Sequence, residues 1–146
     1  MSQLTEQLFT AMSQGKMGKN VQIPPPAIKH LDPTLLEHIP EKSIKWAFPI
    51  KENYNNPFGI TFGGYYGMFF DAAFGPFSGL TAKKPTTSLD MNITFLKPLS
   101  PKDKTVIVEA KVVSKSKSYL LLSAEAHSES GVLVATCTSR MLILDR

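Results

Sequence analysis

The 146-residue chain has the length of one domain, and 42% hydrophobic content is enough for one core. A net charge of +4 is modest, and its lysines (Lys16, Lys19, Lys42, Lys83, Lys84, Lys115 and Lys117 among them) are scattered. That excludes a nucleic-acid arm, although a few of them grouped in space would hold a small phosphorylated ligand. The single Cys137 excludes an internal disulfide framework; with no signal-like start and no apolar run of spanning length, the expected compartment is the cytoplasm, without a membrane partner.

Residues 3–13, "QLTEQLFTAMS", place Leu4, Leu8 and Met12 at helical spacing, with Phe9 and Ala11 alongside, before Gly15 and Gly18 break the pattern. "IPPPAI" (23–28) reads as an extended linker. "LDPTLLEHIP" (31–40) predicts a short helix, with Asp32 as N-cap, Pro33 at the first helical position and Pro40 as the stop. From "SIKWAFPI" onward the pattern changes to strands with one interruption, and Trp46 near the first strand is expected in the core.

The second half is mostly strand. In "SLDMNITFL", Leu89, Met91, Ile93 and Phe95 alternate with Ser88, Asp90, Asn92 and Thr94. "KTVIVEAKVVS" and "SYLLLSAEAHS" continue the pattern, and "GVLVATCTSRMLILD" is apolar enough for a central strand covered on both faces. The connections "KPLSPKD", "SKSK" and "ESG" are short, so the strands on either side should pair antiparallel. One strand, one apolar helix and four long strands make an α+β architecture in which the sheet must cover the helix.

The interruption is "NPFGITFGGYYGMFFDAAFG" (56–75), which holds one acidic residue, Asp71, and no lysine, arginine or histidine. A lone carboxylate in an apolar setting costs several kcal/mol unless it is hydrogen-bonded or takes up a proton. From Gly63 to about Gly79 the apolar residues go nearly all the way round a helix, while Gly64, Gly67, Asp71, Gly75 and Ser78 share one face. Each helical glycine costs roughly 0.5–1 kcal/mol relative to alanine. Close packing against another backbone, from a second copy if need be, would account for them. So would a slot through which a thin substrate arm reaches Asp71.

At the amino end, "FGG" (62–64) brings unpaired N–H groups and the positive end of the helix dipole to a corner suited to a developing oxyanion. Asp71 lies about two turns on, roughly 11 Å away. That is too far for both to act on one carbonyl, so partner groups should come from a second subunit.

These stretches resemble the hot-dog fold thioesterases of the phenylacetate-pathway and thioesterase superfamily member 2 type, over roughly residues 43–144. The likeness rests on Asn56-x-x-Gly59-x-x-x-Gly63-Gly64, with Asp71 seven positions after the second glycine, and on Ser88-x-Asp90-x-Asn92-Ile93-Thr94. It implies a hot-dog fold at 43–146, a curled antiparallel sheet around a long helix, preceded by a helical extension and proline-rich linker at 1–42. It implies a homodimer, or a homotetramer, with composite sites that hydrolyse acyl-CoA or aryl-CoA without metal or other cofactor, coenzyme A being part of the substrate. By matching position, Asp71 resembles the carboxylate that activates water or attacks, and Gly63 the backbone donor to the thioester oxygen. Asn56 resembles the residue that orients the reacting groups, and Ser88 the one that helps hold the water. Phe62 and Gly64 fall at the substrate edge, and Lys117 with Ser118 near the coenzyme A phosphates.

The pattern departs at Phe62, where the family usually has histidine, and none of His30, His38 or His127 falls in the motif. Loss of that side chain would remove a few kcal/mol of transition-state stabilisation or favour a bulky apolar acyl group. Three functions follow in order: thioester hydrolysis, acyl-CoA binding with little turnover, and hydration of an enoyl thioester, ranked last because it suits relatives with a catalytic histidine. The N-terminal helices are placed to cap an acyl pocket. Asp90 and Asn92 read as strand-surface or interface groups, Cys137 as a buried inert thiol, and Lys83 and Lys84 as solvated loop charges.

Overall fold

The computed structural model describes residues 1–15 and 21–145; Lys16, Gly18 and Lys19 lie outside them. Helix α1 (Gln3–Gln14) starts at Ser2, whose side chain accepts the Thr5 N–H at 3.2 Å. It buries Thr5, Leu8, Phe9 and Met12 and leaves Leu4 exposed. Thr5 is inward for a reason: its hydroxyl oxygen accepts the Leu35 N–H at 2.9 Å, tying α1 to the first strand.

The segment after α1 differs from expectation. A short helix, α2 (Pro26–Leu31), sits where a linker was expected, and strand β1 (Thr34–Ile39) sits where a helix was expected. Pro25 and Pro26 supply the N-cap and first helical position, and Asp32 closes α2 in the left-handed region at φ 50° instead of opening a helix. Residues 34–39 then pair with β2 (Ser43–Pro49), from Leu35 opposite Trp46 to Ile39 opposite Ser43. Cross-strand pairing outweighs the local N-cap signal.

Helix α3 (Gly63–Ala82) begins at the expected glycine. Four strands follow: β3 (Thr86–Phe95), β4 (Thr105–Lys115), β5 (Tyr119–Ser128) and β6 (Leu133–Ile143). The six strands form one antiparallel sheet in the order β1-β2-β4-β5-β6-β3. The turns at 116–118 and 129–132 join neighbours, as their length requires. The "KPLSPKD" connection does not. Strand β3 pairs with β6, and residues 96–104 cross to β4, with Leu99 fully buried on the way and a capping box between Ser100 and Asp103 fixing the next turn. Strand β6 therefore lies one in from the edge, with Cys137 opposite Ala124 of β5 and Ile93 of β3.

Register shifts at Leu35/Glu37, Ser88/Asp90, Val112/Ser114 and Ala126/His127 add local twist, which helps the sheet curl over α3. Phe69, Phe70, Phe74 and Phe77 of α3 are buried beneath it with Trp46, Phe48, Val108, Leu120 and Leu122. The helix is wrapped, as its composition demanded. Among the described residues no helix is long and apolar enough to cross a membrane.

Candidate active site

Three glycines of α3, Gly64, Gly67 and Gly75, do not answer to tight packing within this chain. A Cβ built on Gly64 or Gly75 would meet nothing within 4 Å, and one on Gly67 would only touch Ile93 at 3.6 Å. Ser78 leaves the expected open stripe altogether: it is fully buried, donates to the Gly75 carbonyl at 2.9 Å and shares a 2.6 Å hydrogen bond with Thr86. What remains open is the run from Asp71 past Gly75.

Asp71 is exposed in the single chain, so the desolvation expected of it is not in place. Its partner comes from β3, where Ser88 donates to Asp71 Oδ1 at 3.0 Å. Ser88 precedes the β3 bulge and pairs with Met141, whose sulfur lies 3.5 Å from the same hydroxyl. The carboxylate borders a cavity of about 340 Å³. Met68, Ala72, Gly75 and Pro76 of α3 line one side of it, and the N-terminal extension lines the other through Phe9, Met12, Ile28 and Leu31. The extension does cap an apolar pocket.

The second group forms at the amino end of α3. Asn56 Oδ1 accepts the N–H groups of Phe58 (2.9 Å) and Ile60 (3.4 Å), and the Asn56 N–H donates to the Ile60 carbonyl at 2.7 Å. This tight loop delivers the chain into the helix. Phe62 stands at the N-cap without a side-chain hydrogen bond, because phenylalanine has no acceptor to offer. Among the described residues nothing takes the N–H of Gly63 or Gly64. Asn56 and Gly63 share a separate open cleft, also about 340 Å³, with Thr61, Tyr66, Phe95 and Lys97. Thr61 carries a buried hydroxyl without a partner there, which the sequence did not single out.

The structure thus brings together Asp71 with Ser88, and Asn56 with Gly63, but holds the two pairs apart by eight helical residues, about 12 Å. Phe62 is 57% exposed and Gly64 is exposed beside it. Lys117 and Ser118 lie on the β4–β5 turn and line neither cavity; the Ser118 carbonyl accepts the Ile143 N–H at 2.8 Å. Lys84 pairs with Asp145 at 3.2 Å on the surface, and Lys83 closes α3 in the left-handed region.

Other titratable groups have structural partners. Asp90 is held below the usual carboxylate range by the backbone N–H of Arg140 and then by its guanidinium, at 2.6 Å. Burial pushes the Cys137 thiol up to about 11, which leaves it protonated and inert at neutral pH. Partial burial lowers the pKa of His38, which packs edge-on against Phe77.

No curated protein sequence matches the chain. In fold it is similar to the PaaI protein from the phenylacetic acid degradation operon of E. coli, with a TM-score of 0.79 and 15% identity over 96% of this chain and 93% of that one. It is similar to a phenylacetic acid degradation-related protein of Ralstonia eutropha JMP134 at a TM-score of 0.78 and 20% identity, covering 93% and 99% of the two chains. Thioesterase superfamily member 2 of Mus musculus gives a TM-score of 0.76 and 20% identity, with 97% and 98% covered. These likenesses establish the hot-dog fold. Residues 58–135, more than half of the chain, match the family model of the thioesterase superfamily, and they include Phe62, Gly63, Asp71 and Ser88; the chain belongs to that superfamily.

Proposed function

We propose that the protein hydrolyses an acyl-CoA or aryl-CoA thioester, with Asp71 as general base on water. One observation carries this: in a member of the thioesterase superfamily, Asp71, which accepts a hydrogen bond from Ser88, borders an apolar cavity large enough for an acyl group. Asp71 takes a proton from water as the water oxygen attacks the thioester carbonyl. The oxyanion that forms is met by the Gly63 N–H at a helix amino end, where partial positive charge is already oriented. The C–S bond then breaks, and the coenzyme A thiolate leaves with the proton that Asp71 took from water, which returns Asp71 to its carboxylate form. Water is the only co-reactant.

The 12 Å between the two pairs argues for a composite site, Asp71 and Ser88 from one chain facing Asn56 and Gly63 of another. Strand β3 supports this, because it is a ten-residue sheet edge with no partner on its outer side among the described residues. A long unprotected edge is a template for pairing. On it lie exposed Leu89 (46%) and Phe95 (56%).

A second reading, an acyl-CoA binding protein with little turnover, is favoured by Phe62, which offers no hydrogen bond at the oxyanion corner. A panel of acyl-CoA substrates read with a thiol-trapping dye separates the two. Asp71→Asn keeps the shape and the acceptor for Ser88 but cannot take a proton. It should cut turnover about 10²–10⁴-fold with the melting temperature held. Measurable wild-type turnover that Asp71→Asn leaves unchanged removes Asp71 as the base; no wild-type turnover with retained acyl-CoA binding selects the second reading.

A further inference from the structure

The cavity beside Asp71 has a definite length. Asp71, Gly75 and Gly79 all line it and follow at four-residue steps along α3, so it runs about 12 Å from the carboxylate. Among the described residues that line it, Asp71 is the only one with a charged side chain. At Gly75 the floor is open, since a Cβ there would meet nothing within 4 Å. Its 340 Å³ is roughly twice the 150 Å³ of an apolar engineered cavity, in another protein, that holds benzene.

A second cavity of about 260 Å³ follows on the same helix, lined by Leu80, Lys83 and Lys84 of α3 or its end and by Ala11 and Gly15 of α1 or its end. Among the described residues, Met12 and Gly79 line both cavities. Gly79 has no side chain, so of these two it is the buried Met12, contributed by the N-terminal extension, that places a side chain where the cavities adjoin.

Building on the thioesterase reading, we infer that the acyl group is an uncharged chain of medium length, and that Met12 sets its upper limit. An extended chain advances about 1.2 Å per bond, so 12 Å accommodates about ten carbons before the methionine is met. The carbonyl end sits at Asp71, and the apolar tail lies over Gly75 between α3 and the extension. Longer chains stop at Met12. The occupant is apolar because, among the described lining residues, Asp71 is the one that carries a charge. Met12 does not touch the reacting atoms; it is a specificity residue.

The test uses S-alkyl-CoA thioethers from four to sixteen carbons, which cannot be hydrolysed, with binding followed by calorimetry on the full chain. Wild type should gain about fourfold in affinity per added methylene, up to about ten carbons, and then stop gaining. Met12→Ala joins the two cavities and should move that limit out by about five carbons, the length of one further helical step from Gly79 to Lys83. Met12→Phe should move it inward, so the two variants shift in opposite directions; a matched circular dichroism spectrum and melting curve show each to be folded. If Met12→Ala does not fold, the inward shift of Met12→Phe alone decides. A common limit for wild type and the folded variants, or affinity independent of chain length, overturns the inference. Because the thioethers are inert, absent turnover with true acyl-CoA would sink the hydrolase reading and leave this result standing.

Discussion

Gly75→Ala separates a substrate slot from a packing contact. In a helix interior, alanine is favoured over glycine by about 0.5–1 kcal/mol, because glycine loses more backbone freedom on folding. At position 75 nothing offsets that gain, since the new Cβ would meet no atom within 4 Å and the backbone is helical. For a chain of this size the expected rise in melting temperature is about 1–4 °C, read by calorimetry at fixed protein concentration. Gly75→Leu should also keep the helix stable, but its side chain would fill the middle of the cavity. Turnover of a ten-carbon acyl-CoA should then fall at least tenfold, mainly through KM, while a two-carbon acyl group is spared. Stability and activity would move in opposite directions, which a packing role cannot produce. A lowered melting temperature for Gly75→Ala would refute the reasoning; if it fell only on dilution, the glycine would be serving contact with a second copy.

Sedimentation at micromolar concentration should show a dimer, and a monomer that still hydrolyses acyl-CoA would remove the composite site. The Asp90–Arg140 pair makes β3–β6 pairing acid-sensitive: the carboxyl sits below its ordinary value in the fold, so its contribution is present above that value and is lost as pH falls through the lower one. Asp90→Asn should therefore lose stability near neutral pH and lose less than wild type on further acidification, measured by melting temperature against pH; parallel curves would argue otherwise. Cys137 should resist a thiol-trapping dye at pH 8 in the folded protein and react once per chain in denaturant, because burial holds the thiol at about 11. Rapid labelling of native protein would show that β6 opens.

How far the sequence could be read depended on what each segment asked of its neighbours. The helix at 63–82 was legible because an apolar surface nearly all the way round leaves a wrapped helix as the physical solution, β5 because it alternates with a period of two, and β6 because it is a long apolar run. Residues 23–40 were not, since Pro25-Pro26 and Asp32-Pro33 are both plausible helix starts. What decides is remote: β2 pairs with 34–39, and Thr5, thirty residues earlier, takes the Leu35 N–H. The crossing at 96–104 was hidden for the same reason, its anchor being one buried leucine rather than a turn motif. Motif resemblance pointed to Asp71 and Ser88, and the hydrogen bond between them follows from strand register, which spacing along the chain does not encode.

The exposure of Asp71 connects these observations. A carboxylate was expected to be shielded, yet in one chain it is open to solvent with a single hydroxyl partner. Meanwhile a helix end without a side-chain cap lies about 12 Å away, in a cleft where the buried Thr61 hydroxyl has no hydrogen-bond partner among the described residues. On the proposed reading each lacks what the other supplies: a donor for the negative charge developing on a substrate oxygen, and a group to activate water. A two-fold arrangement joining β3 edges would let each helix end face the other chain's carboxylate, so two sites form at once from one interface. The N-terminal extension then has a separate task. On the proposed reading it does not complete the chemistry; through Phe9 and Met12 it walls the cavity that would take the acyl tail. Deleting residues 1–15 should therefore relax chain-length selection and expose apolar surface, while a short acyl-CoA, whose carbonyl needs only Asp71, Ser88 and the facing helix end, remains a substrate.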